Sequence, residues 1–308
     1  MGNIAKRLNI RLSGKCSCNC DHCTMRDLPP VKDLPFDVAV RIAGEQYAAG
    51  CREIVIMREA SQWADLPEFI SVLRDIGYSL IQMQTNGRIF SERDSAEKMV
   101  GCGLTHVEVN VFAARKASGD AVMRVPGAQL QVLSGIRNLL ELGIGVLVVV
   151  PVLKSNLGEL NMLVRLLASL QVSNIQFNFP RPVFSEDRWR LDNLPRLAEA
   201  SVAAEAAMRL AALLGMSVSS EAFPFCHLAP QFRRGPDSDE DFSRHVIVDL
   251  HISHADAGVQ RRQGRPYAEI CQACAVKSAC PVTWAAYQDL FGTSELWALK
   301  SAEEELRR

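Results

Sequence analysis

The sequence predicts an α/β fold: a partial, TIM-like (β/α)6 barrel over residues 1–220 and a small C-terminal domain over residues 221–308. Apolar strand-like runs alternate with stretches of helical periodicity from residue 6 to about residue 220, which is the pattern of repeated βα units. Six parallel strands with right-handed crossovers favour an open barrel over a flat sheet. Beyond residue 220 the alternation stops, and a second group of cysteines indicates a separate unit.

The six strands are predicted from short apolar or alternating segments bounded by turn residues. They span residues 6–13, 53–57, 80–85, 105–111, 145–151 and 174–179. Helices fill the intervals, because apolar residues recur there at helical spacing and glycines stand where helices would end. The two clearest stripes are Leu130, Leu133, Ile136 and Leu140, and Leu160, Leu163, Leu167 and Leu170, and the two capping glycines are Gly50 and Gly143.

Composition excludes several classes of protein. The chain has 308 residues, 48% hydrophobic content, 22% charged content and a net charge of −1, which is typical of a globular protein and disfavours nucleic acid as a partner. No apolar run reaches the ~18 residues that a membrane span requires. The N-terminal residues lack a signal peptide, so the ten cysteines are expected in the reducing cytoplasm, where clustered cysteines indicate metal more often than disulfides.

Polar residues repeat along one face of the predicted strands, while the other face is apolar. A parallel strand covered on both faces is nearly all apolar, so this pattern predicts a polar ligand inside the barrel, with a sheet face open to solvent as the alternative. The expected substrate-binding residues are Arg11, Gln82, Gln84, Glu108, Gln176 and Asn178.

The loop after the first strand carries the strongest chemical signal. Cys16, Cys20 and Cys23 stand in C-x3-C-x2-C spacing. Three thiolates from one short loop suit a 4Fe-4S cluster whose fourth iron has no protein ligand and is open to a small molecule.

This order of strand, cysteine loop and helix resembles the radical S-adenosylmethionine (SAM) enzymes. The resemblance continues through Gln84-Thr85-Asn86-Gly87-Arg88 and Val125-Pro126-Gly127, and covers most of the first 220 residues. It implies that the open iron binds the amino and carboxylate groups of SAM, that an electron from a flavodoxin or ferredoxin breaks the sulfonium bond, and that a 5'-deoxyadenosyl radical abstracts hydrogen from the substrate.

The resemblance also assigns residues. Cys16, Cys20 and Cys23 would hold the cluster, His22 would lie near the adenine, and Asn110 would contact the methionine end of SAM. Arg124 is a candidate for the SAM carboxylate, because a guanidinium can donate two hydrogen bonds to it; Arg124 and Asn156 can equally be surface or turn residues. The full set of expected cofactor-binding residues is His22, Glu59, Asn86, Asn110, Arg124 and Asn156.

One segment departs from the family. After the second strand most members carry Gly-Gly-Glu-Pro, whose backbone approaches the SAM amino group, whereas this chain has Met57-Arg58-Glu59-Ala60. Only Glu59 is kept, and Arg58 adds bulk and charge at a tight position. Backbone carbonyls still accept hydrogen bonds there, so SAM binding remains expected.

The C-terminal cysteines form a second ligand set, Cys226, Cys271, Cys274 and Cys280. Four thiolates suit a structural zinc site, but the long interval before Cys280 and the downstream Trp284 and Tyr287 resemble the auxiliary-cluster domains called SPASM or twitch. This resemblance implies a second, auxiliary 4Fe-4S cluster that exchanges electrons, and so favours oxidation, coupling or epimerisation. Cys18, Cys51 and Cys102 stay unassigned.

Three functions follow. The first is a radical SAM enzyme acting on a small polar molecule, such as a sugar, nucleoside or natural-product intermediate. The second is a maturase that crosslinks or epimerises a ribosomally made peptide; such enzymes often carry an N-terminal leader-recognition module, for which there is no room ahead of Lys6. The third is a non-catalytic binding protein in which zinc holds together the C-terminal domain of residues 221–308, here called the annex.

Overall fold

A computed structural model of the chain describes residues 6–26, 28–185, 187–233, 244–250 and 262–300. An eight-stranded sheet, in which every neighbouring pair is parallel, forms a partial barrel, and a two-stranded antiparallel hairpin stands beside it. The strands are β1 (Lys6–Ile10), β2 (Cys51–Ile56), β3 (Leu80–Thr85), β4 (His106–Asn110), β5 (Gly145–Pro151), β6 (Asn174–Asn178), β7 (Val183–Ser185), β8 (Arg188–Arg190), β9 (Ser217–Glu221) and β10 (His245–Val248).

Helices connect the strands of the sheet. They are α1 (Phe36–Ala48), α2 (Leu66–Ile76), α3 (Arg93–Cys102), α4 (Lys116–Met123), α5 (Ala128–Glu141), α6 (Leu160–Ser169), α7 (Leu197–Leu213) and, after the sheet, α8 (Ala285–Phe291). Short 3-10 turns cover Arg88–Ser91, Leu157–Glu159, Phe225–His227, Pro230–Phe232, Glu269–Ala273 and Lys277–Ala279. In the described part of the chain, no helix has the length and apolar character needed to cross a bilayer.

The strand order is β10-β1-β2-β3-β4-β5-β6-β9, so consecutive βα units lie side by side from β1 to β6. All six predicted strands are present. Since parallel strands end at the same edge, the segments that follow β1 to β6 meet at one end of the barrel.

The core lies between the sheet and its helices. The apolar positions of the alternating strands point into it: Ile81 and Met83 of β3 are at most 1% exposed, as are Phe69 and Leu73 of α2. In α6 three leucines of the predicted stripe, Leu160, Leu163 and Leu167, are buried, whereas the fourth, Leu170, is the half-buried C-cap residue after the helix. Burial of these side chains supplies most of the stabilisation, about 1.5–3 kcal/mol for each large one.

Two strands of the sheet lie beyond the six that were predicted. β9 pairs with β6, and β10 pairs with β1 through the register Arg7↔His245 to Ile10↔Val248. The C-terminal third of the chain therefore contributes β10 to the barrel, although the βα alternation has stopped. The division at residue 220 stays a prediction.

Candidate active site

A cavity of about 320 Å³ opens at the carboxyl ends of the parallel strands. Each strand from β1 to β4, together with β6 and β9, sends side chains into it from its last residues or from the loop that follows. The lining residues are Arg11, Ser13, Gly14, Lys15, Cys16, Cys18, Cys20, His22, Cys23, Thr24, Met25, Arg58, Glu59, Gln84, Thr85, Asn86, Glu108, Asn110, Phe112, Pro151, Asn178, Phe179, Pro180, Arg181, Glu221 and Trp284.

The cysteine loop forms one wall of this cavity, which Cys16, Cys20 and Cys23 all line. Backbone N–H groups already point at two of the sulfurs: that of Cys18 donates to Cys16 Sγ and that of Met25 to Cys23 Sγ, both at 3.4 Å. Such donors stabilise thiolates and tune cluster potentials. The donor set therefore fits a thiolate-ligated iron-sulfur cluster.

The Asn86-Gly87-Arg88 turn holds the loop in place. Asn86 Nδ2 donates to Ser17 Oγ at 3.1 Å, and Arg88 Nη1 donates to the Ser17 carbonyl at 2.8 Å. Gly87 makes this turn at φ +81°, and a Cβ there would lie 2.7 Å from Val109 Cγ1. Only glycine fits, so the motif acts as a rigid support for the cysteine loop.

The hairpin of β7 and β8 supports the loop from the other side. Arg190 Nη1 and Nη2 donate to the carbonyls of Asp21 and Cys23, each at 3.0 Å. The sequence reasoning missed Arg190, because nothing in a short Arg-Trp-Arg segment marks it as a partner of a loop about 170 residues earlier.

The altered segment after β2 is built around Glu59. This carboxylate accepts hydrogen bonds from the Ser61 N–H at 2.7 Å, and from Thr85 Oγ1 and the Asn86 N–H at 2.9 Å. Glu59 is only 8% exposed, so its oxygens are occupied by the protein. The preceding residue, Arg58, has φ +64°, a left-handed conformation that non-glycine residues rarely adopt.

Glu108 lies inside the barrel between two amides. Gln82 Nε2 donates to it at 3.1 Å, and Gln84 Nε2 donates to both of its oxygens at 3.2 and 3.3 Å. Burial raises the pKa of Glu108 to about 7, partly offset by the Gln84 hydrogen bond, and the negative charge of Glu221 adds to the rise. Such a carboxyl changes its protonation state near neutral pH.

A second cluster of polar side chains lies on β6 and β9. Asn178 Nδ2 donates to Glu221 Oε2 at 2.7 Å, and Gln176 Nε2 donates to Asn178 Oδ1 at 2.8 Å. Arg265, from the C-terminal segment, donates to Glu221 Oε1 at 2.7 Å and lies 3.9 Å from the centroid of the Trp284 ring. This residue ties the annex to the end of β9.

The structure brings most of the expected site residues together. Arg11, His22, Glu59, Gln84, Asn86, Glu108, Asn110 and Asn178 line the cavity. Gln82 and Gln176 stand behind it and contact lining residues. The His22 ring centroid lies 4.9 Å from that of Phe112, so His22 packs among apolar atoms at the cavity wall.

Two expected cofactor-binding residues lie elsewhere. Arg124 Nε donates to Asp21 Oδ1 at 2.5 Å, and Arg124 lines a second cavity of about 120 Å³ that shares His22, Pro180 and Arg181 with the first. Asn156 is 1% exposed, and its Nδ2 donates to the Phe112 and Pro151 carbonyls at 2.8 Å. Asn156 therefore connects the segments that follow β4 and β5, and Arg124 holds Asp21 of the cysteine loop. Their roles toward SAM stay predictions.

Several lining residues were absent from the expected set. Arg181 and Trp284 line the cavity, and Glu221 closes it at the end of β9. Asp249, directly after β10, pairs with Arg11 Nη1 at 3.3 Å. The signal that could have identified them is position at the carboxyl end of a strand, since Glu221 is the last residue of β9 and Asp249 follows β10, but the sequence does not predict these two strands.

The four C-terminal cysteines line a second, smaller cavity in the annex, with Phe225, Tyr267, Lys277 and Trp297. Burial raises the pKa of Cys226 to about 11 and also raises the pKa values of Cys271 and Cys280. The Phe225 N–H donates to Cys280 Sγ at 3.4 Å. Buried thiols become thiolates when a metal binds, so this donor set fits a metal centre.

All ten cysteines are free thiols. Among the residues that the structure describes, no three His, Cys, Asp or Glu side chains are grouped closely enough to hold a single metal ion.

Comparison with known proteins identifies a family for this arrangement. The family model described as the Radical SAM superfamily matches residues 10–167, from the end of β1 to α6. No curated protein matches the chain in sequence.

Solved structures share the fold at low sequence identity. Streptococcus suis SuiB bound to S-adenosylmethionine is 11% identical, with a TM-score of 0.70 over 96% of this chain and 76% of that chain. SuiB bound to the precursor peptide SuiA is 12% identical, with a TM-score of 0.67 over 96% and 75% of the two chains. anSMEcpe with bound AdoMet and the Kp18Cys peptide is 11% identical, with a TM-score of 0.57 over 69% and 63%.

Proposed function

Because the chain belongs to the radical SAM superfamily, we propose that it uses SAM to abstract a hydrogen atom from a small polar substrate bound in the main cavity. One observation carries this proposal: the three cysteines of the loop and the polar ends of the strands line the same cavity. When bound, the 4Fe-4S cluster and SAM supply the reductive cleavage that yields the 5'-deoxyadenosyl radical.

The residues of the chain would position these groups. Cys16, Cys20 and Cys23 would hold the cluster, and the contacts of Asn86 and Arg88 with Ser17 keep their loop fixed while ligands enter and leave. A preorganised loop loses little conformational entropy when the cofactor binds, which favours binding.

The substrate would bind to the polar side chains of the barrel interior. Gln84, Glu108 and Asn178 line the cavity from three strands and present amide and carboxyl groups. These groups can donate and accept hydrogen bonds, as recognition of hydroxyl or amide groups requires. Buried polar groups discriminate strongly against ligands that leave them unpaired.

Replacement of Glu108 by glutamine tests this assignment. We expect kcat/KM to fall roughly tenfold to a hundredfold, because one hydrogen bond between the Glu108 carboxyl and the substrate is lost, while the iron content stays that of wild type. The matched control is Glu141→Gln, whose side chain is 54% exposed on the helix surface. Unchanged turnover in Glu108→Gln would remove Glu108 from the substrate site.

The raised pKa of Glu108 also predicts that the stability of the wild-type protein depends on pH, and Glu108→Gln tests this. The raised pKa of Glu108, about 7, means that the folded protein favours the protonated carboxyl. Its contribution to stability is full below the ordinary pKa and is lost as pH rises through about 7. Glutamine is neutral at every pH. The free energy of unfolding of Glu108→Gln relative to wild type should therefore rise by about 1–3 kcal/mol between pH 5.5 and pH 8, and its relative melting temperature should rise with it. A pH-independent difference would contradict it.

We propose that the annex cysteines hold an auxiliary 4Fe-4S cluster that exchanges electrons with the substrate radical. The support is that Cys226, Cys271, Cys274 and Cys280 line one buried cavity, and that Arg265 and Trp284 connect the annex to the main cavity. The reaction would be an oxidation, a coupling or an epimerisation. A flavodoxin or ferredoxin would be the reductant, and a reducing cytoplasm would keep the cysteines free. A structural zinc is the alternative.

A peptide substrate is the second candidate. It is favoured by the shared fold with SuiB, which has been solved with its precursor peptide SuiA, and by the exposed Phe184, which packs against the half-buried Trp189 on the hairpin beside the cysteine loop. Peptide maturation and small-molecule chemistry would use the same cysteine loop, and differ in what enters the cavity.

The deciding experiment measures iron, sulfide, zinc and SAM cleavage on protein purified and reconstituted without oxygen. Two ligand sets predict about eight irons per chain and formation of 5'-deoxyadenosine under reducing conditions. About four irons with one zinc would keep the radical chemistry but make the annex structural. Zinc alone, with no SAM cleavage, would overturn the proposal and favour a binding protein.

A further inference from the structure

Three guanidinium groups line the main cavity together with the cysteine loop. Arg11, Arg58 and Arg181 all line it, and they come from the segments after β1, β2 and β6. Desolvation by the cavity walls is the largest cause that lowers the pKa of Arg58, although 42% of its side-chain surface is exposed. The charge of Asp249 raises this pKa and the charges of Arg11 and Arg181 lower it, so both guanidinium groups are close enough to Arg58 to repel it.

One carboxylate compensates them in part. Asp249, whose side chain is 5% exposed, lies 3.3 Å from Arg11 Nη1 and 3.7 Å from Arg58 Nε. Within the described part of the chain, Arg181 forms no ion pair, and its guanidinium carbon lies 5.7 Å from the Trp284 ring centroid. In the described part of the chain, Asp249 is the carboxylate that pairs with Arg11 and Arg58. The other carboxylates of the cavity are engaged elsewhere, because Thr85, Gln84 and Arg265 donate to Glu59, Glu108 and Glu221 respectively. Positive charge is therefore in excess around the three guanidinium groups.

The backbone of Arg58 indicates that this arrangement is specifically held. Its φ of +64° is unfavourable for any residue with a Cβ, yet Gln84 Oε1 accepts a hydrogen bond from the Arg58 N–H at 3.1 Å. The side chain keeps 42% of its surface exposed, and that surface faces the cavity. Strained residues of this kind concentrate at ligand sites, where the surrounding structure maintains them.

We infer that Arg11, Arg58 and Arg181 form an oxyanion site that binds a carboxylate or phosphate group of the substrate. Guanidinium groups match the planar, bidentate geometry of both anions. The inference rests on the proposed function, since these arginines line the same cavity as the cysteine loop and would hold the anionic end of the substrate there. It narrows the substrate class from polar molecules to acids and phosphate esters.

The test uses radiolabelled inorganic phosphate in equilibrium dialysis against the reconstituted holoenzyme, with and without saturating SAM. Wild type should bind phosphate saturably in both conditions. Arg58→Gly and Arg181→Gln should each weaken binding at least about tenfold, since each removes charge-assisted hydrogen bonds. Arg58→Gly is informative because glycine adopts this φ without strain, so the variant should fold and retain wild-type iron content.

The matched control is Arg41→Gln, which removes a guanidinium whose side chain is 61% exposed on α1; it should bind phosphate as wild type does. Absence of saturable binding by wild type, or equal binding by the variants, would overturn the oxyanion site. Displacement of phosphate by one equivalent of SAM would overturn the substrate assignment and give the site to the SAM carboxylate. Phosphate binding in the expected pattern without any SAM cleavage would overturn the proposed function and leave the site standing.

Discussion

Replacing Cys20 by alanine is expected to abolish SAM cleavage, with a loss on the order of 10³-fold or more, as for removal of an essential catalytic group. Under the proposed assignment the loop would supply all the protein ligands of the cluster, and two remaining thiolates would not hold it, so the iron content should fall by about four per chain. The measurements are iron and sulfide content and the rate of 5'-deoxyadenosine formation, both without oxygen.

The loop supplies its own control. Cys18 lies between the proposed ligands and also lines the cavity, but it stands outside the C-x3-C-x2-C spacing. Cys18→Ala should therefore keep the iron content of wild type. If Cys18→Ala loses the cluster while Cys20→Ala retains it, the ligand assignment is wrong.

The second large effect is expected in the annex. Cys271→Ala should lower the iron content from about eight to about four per chain, because a cubane cluster with one ligand missing is readily lost. Cleavage of SAM should continue, since the ligands in the cysteine loop are unchanged, whereas product formation from the substrate should stop. Separate assays of 5'-deoxyadenosine and of consumed substrate distinguish these steps.

Loss of the annex metal should also loosen the surrounding segment. Residues 262–300 contain little regular structure apart from α8, so the metal would contribute much of their stability. Faster amide hydrogen exchange over this segment in Cys271→Ala is the expected readout. Cys102→Ser, at the end of α3 and away from both cysteine sets, is the control. An unchanged iron content with lost zinc would instead identify the annex as a zinc site.

The alternation of the strands made the barrel predictable. In β3, Ile81 and Met83 are buried while Gln82 and Gln84 face inward to Glu108, which is the polar interior that the pattern predicted. The period of two residues is a local property, so it can be recognised without knowing the tertiary structure. That the three cysteines share one cavity was predictable for the same reason, because they lie within eight residues of one another.

Packing decided what local patterns could not. In α5 the predicted stripe included Leu130, which is 51% exposed, whereas Val132, Ile136 and Leu139 are buried. The reason is Gly135, where a Cβ would lie only 2.6 Å from the Gly87 carbonyl oxygen. The helix turns its glycine toward the supporting turn of the cysteine loop, and this rotates its buried face away from the most obvious leucines.

The two added strands were unpredictable for a related reason. The sequence of β9, Ser-Val-Ser-Ser-Glu, has almost no apolar content, and it forms a strand because β6 offers a parallel partner. β10 has only four residues, too few for an alternation of apolar and polar side chains to be recognised. Consequently Glu221, the last residue of β9, and Asp249, which follows β10, could not be placed in the site from sequence.

The pairing of β10 with β1 has a consequence for biosynthesis. Arg11, at the entrance to the cysteine loop, obtains its carboxylate partner from a residue 238 positions later. Translation proceeds at ~5–20 residues per second, so the ribosome needs on the order of ten seconds or more after making Arg11 to make Asp249. Until then β1 lacks one neighbouring strand, and Arg11 lacks this carboxylate. Loading of iron into the loop is therefore expected after the ribosome has released most of the chain, and a ribosome-bound fragment that ends before β10 should take up iron poorly.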